Sequence, residues 1–102
     1  MTYRVHELRL AQEDIVSIFD WLNERSPEGA AAWLDAYDAM LNSLQQSAHR
    51  HAAAPESERL GEQLRQTLFK TRKGRIYRAL FVIEGQDVYI LRVRGPGQAP
   101  IA

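Results

Sequence analysis

The chain has 102 residues, enough for one domain around one core, and its 45% hydrophobic and 25% charged content is ordinary for a globular protein. It contains no cysteine, which excludes disulfides and thiolate chemistry. No apolar run approaches the roughly 20 residues needed to span a bilayer. The first residues, Met1-Thr2-Tyr3-Arg4-Val5-His6, lack the apolar core of a signal peptide, so a cytoplasmic protein is expected. The formal net charge of +0 conceals a segregation. Residues 1–58 carry four arginines against ten acids, a net of −6, whereas residues 59–102 carry nine lysines and arginines against three acids, a net of +6. Such a split implies a basic face on the C-terminal half, attractive to polyanions or to an acidic partner, unless the two halves neutralise each other across the fold.

Tyr3 to Leu8 alternates apolar and polar residues and reads as a short strand with Tyr3, Val5 and Glu7 on one face. From Ala11 to Arg25, apolar residues at Ala11, Ile15, Ile18, Phe19 and Leu22 follow helical spacing. Glu13 and Asp14 are placed in the first turn, where they suit the positive end of the helix dipole. Pro27 disfavours helical geometry at Ser26 and ends this helix. Ser26 then N-caps a second helix with Pro27 at its first position and Glu28 in its first turn. Its apolar face is Ala30, Trp33, Leu34, Tyr37, Met40, Leu41 and Leu44, a core stripe, and so short a link implies a helical hairpin. Trp21 falls off the apolar face of the first helix and is a candidate contact residue.

Ala48 to Leu60 loses periodicity and reads as a surface loop. His49 and His51 lie in it, but two histidines without a third ligand make no metal set, and His6 is read as structural. No metal or cofactor is expected. Leu64 to Thr71 reads as a second strand. Arg72-Lys73-Gly74-Arg75 is a basic turn into a third strand, Arg75 to Glu84, and Gly85-Gln86-Asp87 a turn into a fourth, Val88 to Gly95. Pro96 to Pro100 is a tail that sustains neither helix nor strand. The order β-α-α-β-β-β predicts an α+β fold, with a helical hairpin packed on one face of a mainly antiparallel four-stranded sheet and residues 1–102 as a single domain.

Several segments in this order resemble the RelE/ParE superfamily of bacterial type II toxin–antitoxin toxins. They are Ala11 to Leu22 as the first helix and Ser26-Pro27-Glu28-Gly29-Ala30 as the interhelical turn. Gly74-Arg75-Ile76-Tyr77-Arg78-Ala79-Leu80-Phe81 resembles the Tyr-Arg strand. Val88-Tyr89-Ile90-Leu91-Arg92-Val93-Arg94 with its Gly/Gln/Pro tail resembles the last strand. The tail is closer to the ParE-like branch. The resemblance implies growth inhibition, a role in plasmid stabilization, and a cognate antitoxin whose C-terminal segment wraps the toxin. The implied target is DNA gyrase in the ParE-like case. The alternative is mRNA in the ribosomal A site, cut by a RelE-like, metal-independent endoribonuclease.

RNA cleavage of that kind must hold the scissile phosphate and move two protons. Guanidinium groups match phosphate oxygens two at a time. Arg78 matches the arginine of the family's Tyr-Arg strand, implied to contact the phosphate; Arg94 and Lys73 complete the candidate catalytic set if the chain is a nuclease. Arg65, Lys70, Arg72, Arg75 and Arg92 are candidates for binding an anion or a partner. Arg78 has a structural alternative, pairing with Glu7, Glu62 or Glu84, and Lys70 to Arg75 has another, a solvated turn. Strand alternation puts Arg78 with Leu80 and Val82, and Arg92 with Ile90 and Arg94. The proton-moving part is thin: nothing after Tyr89 titrates near neutrality, and Tyr77 and Tyr89 sit within strands.

Overall fold

A computed structural model describes residues 2–57 and 63–96. Strand β1 (Arg4–Glu7) leads into helix α1 (Arg9–Arg25) and helix α2 (Pro27–Ser47). After a 3-10 turn at Ala48–Arg50 come strands β2 (Arg65–Phe69), β3 (Tyr77–Glu84) and β4 (Asp87–Arg94). The sheet order is β1-β4-β3-β2. The last three strands form the expected antiparallel meander, while β1 adds to β4 in parallel, Arg4 opposite Asp87 and Glu7 opposite Ile90. The sheet is therefore mixed, and the α+β order β-α-α-β-β-β stands.

The break between the helices follows from local chemistry. Ser26 is extended (φ −158°, ψ 104°), and its Oγ accepts the Gly29 N–H at 3.0 Å, while Pro27 opens α2 without a donor to satisfy. Replacing Ser26 with alanine removes that acceptor and is expected to lower stability by about 1 kcal/mol. A shift in the urea midpoint at unchanged slope would show it. The first helix begins earlier than the sequence pattern suggests, at Arg9, so Glu13 and Asp14 lie past its first turn, which holds no acid. Asp14 there serves a tertiary contact with β4, and Glu13 pairs loosely with Arg9 one turn back.

The helices cover one face of the sheet. Trp33, Tyr37, Met40 and Leu44 from α2 meet Phe69, Ala79, Phe81, Val88, Ile90 and Val93 from the sheet. Aromatic rings concentrate at one end: Trp33 lies 5.8 Å from Phe69, 5.5 Å from Tyr77 and 5.9 Å from Tyr37 between centroids, separations at which edge and offset contacts add to burial. The Tyr37 hydroxyl donates to Glu7 Oε2 at 2.6 Å, and burial together with that carboxylate pushes its pKa well up.

A second, smaller apolar cluster occupies the opposite face: Ala54, Leu64 and Leu80, with Val82 and Leu91 packed against them. The segment after α2 covers it, and this corrects the surface-loop expectation for its described part. Ala48, Ala54 and Glu56 are buried, and Ala53 bridges Arg65 through Gln66 N–H to Ala52 O (3.1 Å) and Ala54 N–H to Leu64 O (2.7 Å). The segment lacks periodicity because it packs through single residues and not through a repeating face. Leu60 and Glu62, and the tail beyond Pro96, lie outside the described residues.

The β3–β4 turn narrows to Gly85-Gln86, with Gly85 at φ +62°, a conformation that favours glycine. A register shift separates Leu80↔Arg92 from Phe81↔Ile90. That bulge corrects the simple alternation expected for β4. Ile90 packs under the helices, but Arg92 does not share its side.

Candidate functional site

The eight cations singled out in the sequence separate into two groups. Arg78 stands on β3 opposite Arg94 on β4 and Leu68 on β2. Its Nη1 donates to Glu56 Oε1 at 2.8 Å and its Nη2 to Glu56 Oε2 at 2.5 Å, with a further bond from Nη1 to Gln66 Oε1 at 3.2 Å. The Glu56 side chain is 0% exposed and that of Arg78 20%. The partner is thus Glu56, not the Glu7, Glu62 or Glu84 anticipated. The hydrogen bond to Glu56, above all, raises the Arg78 pKa.

Arg92 is held likewise. Its Nε and Nη2 donate to the two oxygens of Asp14 at 2.8 and 3.0 Å, and the same carboxylate accepts the Val93 N–H at 2.9 Å. The parallel partner β1 ends opposite Ile90. Beyond it the edge of β4 is therefore closed by a carboxylate from α1. Arg65 donates through Nη1 to the backbone carbonyls of His49 (3.2 Å) and His51 (2.8 Å), tying the covering segment to β2. Arg94 is partly buried and lies beside Arg78 in the ladder.

The second group is open. Lys70, Arg72, Lys73 and Arg75 are exposed and form the turn between β2 and β3, closed by Gly74 N–H to Thr71 O at 3.2 Å. A side chain at Gly74 would meet Thr71 Oγ1, so that hydroxyl would have to turn away. Among the described residues no carboxylate pairs with any of the four. Leu68 and Ile76, 57% and 53% exposed, stand at the base of the turn on the side of Arg78. Among the described residues, the outer edge of β2 is bridged only at Arg65. Because backbone groups alternate in direction, the Leu68 N–H and C=O point away from β3 as those of Gln66 do. An open groove of about 370 Å³ runs beside this edge, lined by Ala36, Ala39, Met40 and Ser43 of α2, His51 and Leu68 among others.

The tyrosines separate as well. Tyr77 belongs to the aromatic core, and burial raises its pKa. Tyr89 stacks on His6 at 5.1 Å between centroids. His6 Nε2 donates to Asp87 Oδ1 at 2.9 Å, and Arg4 chelates the same carboxylate through Nε (2.8 Å) and Nη2 (3.1 Å). Sequence reasoning gave this cluster no role, because only the parallel placement of β1 brings it together. Bonds from Arg4 and then His6 hold the Asp87 pKa far below the usual carboxylate range. A carboxylate depressed in the folded state contributes stability above its unfolded value of about 3.9, and that contribution is lost as pH falls below it. The melting temperature of an Asp87→Asn variant should therefore decline less steeply than wild type between about pH 4 and pH 2; parallel profiles would contradict the assignment. Among the described residues no group of three or more His, Cys, Asp or Glu side chains is placed to hold a metal ion.

The fold is a helical hairpin on a mixed four-stranded sheet with an open basic β-hairpin. The chain is similar to a chain of the chromosomal ParDE toxin–antitoxin system of P. aeruginosa, with TM-score 0.68, 24% identity, and coverage of 92% of this chain and 96% of that one. It is also similar to a chain of the RelBE2 toxin–antitoxin complex of Mycobacterium tuberculosis, with TM-score 0.55, 21% identity, and coverage of 93% and 99%. At these identities the likeness shows the fold. Of the two, the ParDE chain is the more similar. No protein-family model matches the chain, and no curated protein matches it.

Proposed function

We propose that the chain is the toxin of a bacterial type II toxin–antitoxin system, of the ParE-like kind. It inhibits growth by binding an essential target such as DNA gyrase, and a cognate antitoxin neutralises it. The observation that carries this reading is the near end-to-end likeness to a ParDE chain, at 92% and 96% coverage. The geometry of the cations supports it. The arginine best placed by resemblance to contact a phosphate, Arg78, is already chelated by a buried carboxylate, and Arg92 is chelated by Asp14. Their charges serve the fold first.

The antitoxin, on this reading, lands on the open hairpin. Lys70, Arg72, Lys73 and Arg75 attract an acidic segment, Leu68 and Ile76 supply apolar contact, and the unpaired edge of β2 offers backbone groups for strand addition. In a supercoiling assay with purified gyrase, the chain should inhibit at micromolar concentration. Full supercoiling at that level would remove the gyrase assignment.

One observation keeps a second reading in view. Arg78 and Arg94 face each other in register and Lys73 lies on the adjoining turn, so three cations able to hold a phosphate gather at one end of the sheet, which supports a metal-free endoribonuclease. Toeprinting of translating ribosomes separates the two. Cleavage in the A site by the wild type that is lost in an Arg78→Ala variant shown by circular dichroism to be folded would favour the nuclease, and no cleavage by the wild type favours binding alone.

A further inference from the structure

Two exposed patches on this chain combine apolar side chains with charge: one is net acidic, Glu13, Asp20 and Glu24 against Arg9 and Arg25, and the other is wholly basic. The first lies on α1. Leu10 and Trp21, 46% and 53% exposed, are eleven residues apart and fall in one row along the helix; Glu13, Asp20 and Glu24 form the row beside it. The acids of this patch make only loose surface pairs, Glu13 with Arg9 at 3.6 Å and Glu24 with Arg25 at 3.9 Å, and the Arg25 guanidinium lies 3.7 Å over one face of Trp21. The second patch is the β2–β3 hairpin, with Leu68 and Ile76 exposed among Lys70, Arg72, Lys73 and Arg75.

The charge segregation in the sequence survives folding in part. The ion pairs Arg92–Asp14, Arg78–Glu56 and Arg4–Asp87 join the two halves, but none among the described residues links the hairpin cations to the α1 acids. One patch belongs to the helical layer and the other to a turn at the end of the sheet, so a single molecule leaves both unsatisfied. Two molecules satisfy one of each. A net charge of +0 adds no overall repulsion to such a contact.

We infer that the chain self-associates head to tail, the basic hairpin of one copy docking on the acidic, apolar face of α1 of the next. The contact is heterologous, so each copy keeps one patch of each kind free for further copies, and association is open-ended unless a ring closes. The hairpin is the surface that the proposed function gives to the antitoxin, but the inference does not need an antitoxin or a toxic activity. An antitoxin bound there would break the chains of copies.

Sedimentation velocity of the purified full chain tests it directly. At about 20 mM salt the sedimentation coefficient should rise between about 10 µM and about 1 mM protein; at about 0.5 M salt it should return toward the monomer, since exposed pairs are screened. Lys70→Glu/Lys73→Glu/Arg75→Glu, which leaves the hairpin net negative, and Asp20→Lys/Glu24→Lys alter only exposed residues, and circular dichroism checks that both variants fold. Each alone should shift half-association to at least about tenfold higher concentration. An equimolar mixture of the two should associate again, because the reversed hairpin of one now faces the reversed helix of the other. A wild type that stays monomeric throughout overturns the inference and leaves the patches to other partners. Association indifferent to both variants, or a mixture that stays monomeric, overturns it too.

Discussion

Replacing Glu56 with alanine is expected to cost about 3–5 kcal/mol of stability, a large effect for a single substitution. The carboxylate is 0% exposed and bonds Arg78 through both oxygens, so its loss leaves a guanidinium that is only 20% exposed without its counter-charge. It also releases the segment that carries Ala54 over Leu64 and Leu80. For a domain whose whole stability is about 5–15 kcal/mol, the variant approaches the threshold of folding. Arg78→Ala should also destabilise, because it removes the guanidinium that bonds both oxygens of this buried carboxylate. The informative variant is the double one. With Glu56→Leu and Arg78→Met together, neither charge is buried alone, and most of the loss should be recovered. Urea denaturation of the four proteins decides the matter: a cost below about 1 kcal/mol for Glu56→Ala would mean that the pair is solvated and that Arg78 is free to meet other anions.

Reversing the hairpin charges should have the largest functional effect. Lys70→Glu, Lys73→Glu and Arg75→Glu together convert the only stretch of cations among the described residues that is exposed and without a carboxylate partner. If an acidic antitoxin segment is captured there, its Kd should rise by about a hundredfold or more, and the salt dependence of association should reverse in sign. Because these side chains make no contact that holds the fold together, stability should move by no more than about 0.5 kcal/mol. Calorimetric titration with the cognate antitoxin at two salt concentrations measures the affinity and its salt dependence, and urea denaturation the stability. Unchanged affinity would place the antitoxin elsewhere, on α1 or on the groove beside α2.

Much of the fold is legible in the chain because its signals are local. Ser26-Pro27 marks both the end of α1 and the start of α2, and each cue acts within three residues. The hairpin of β3 and β4 is visible from two β-branched, aromatic runs around Gly85. The partners of the arginines are not legible, for a different reason. Glu56 sits in a stretch with no periodicity, and nothing in that stretch tells a buried carboxylate from a solvated one. Asp14 reads as an ordinary first-turn acid until α1 is seen to begin at Arg9 and to lie against the free edge of β4. The bulge between Ile90 and Arg92 breaks the alternation by one residue and changes which neighbours Arg92 meets. The Arg4, His6 and Asp87 cluster depends on where β1 joins the sheet, which is a long-range choice. What could be anticipated at the site was therefore its inventory of cations; which of them the fold consumes and which it leaves open is decided by tertiary contacts.

A small domain that harms its host by binding must expose a surface that its antitoxin can cover. Growth after induction in a bacterial host, alone and with the antitoxin co-expressed, tests this most directly. The wild-type chain should arrest growth and be rescued; the chain with Lys70, Lys73 and Arg75 changed to glutamate should arrest growth and escape rescue. Normal growth on induction of a folded wild-type chain would contradict the toxin reading and leave the fold without the function proposed for it.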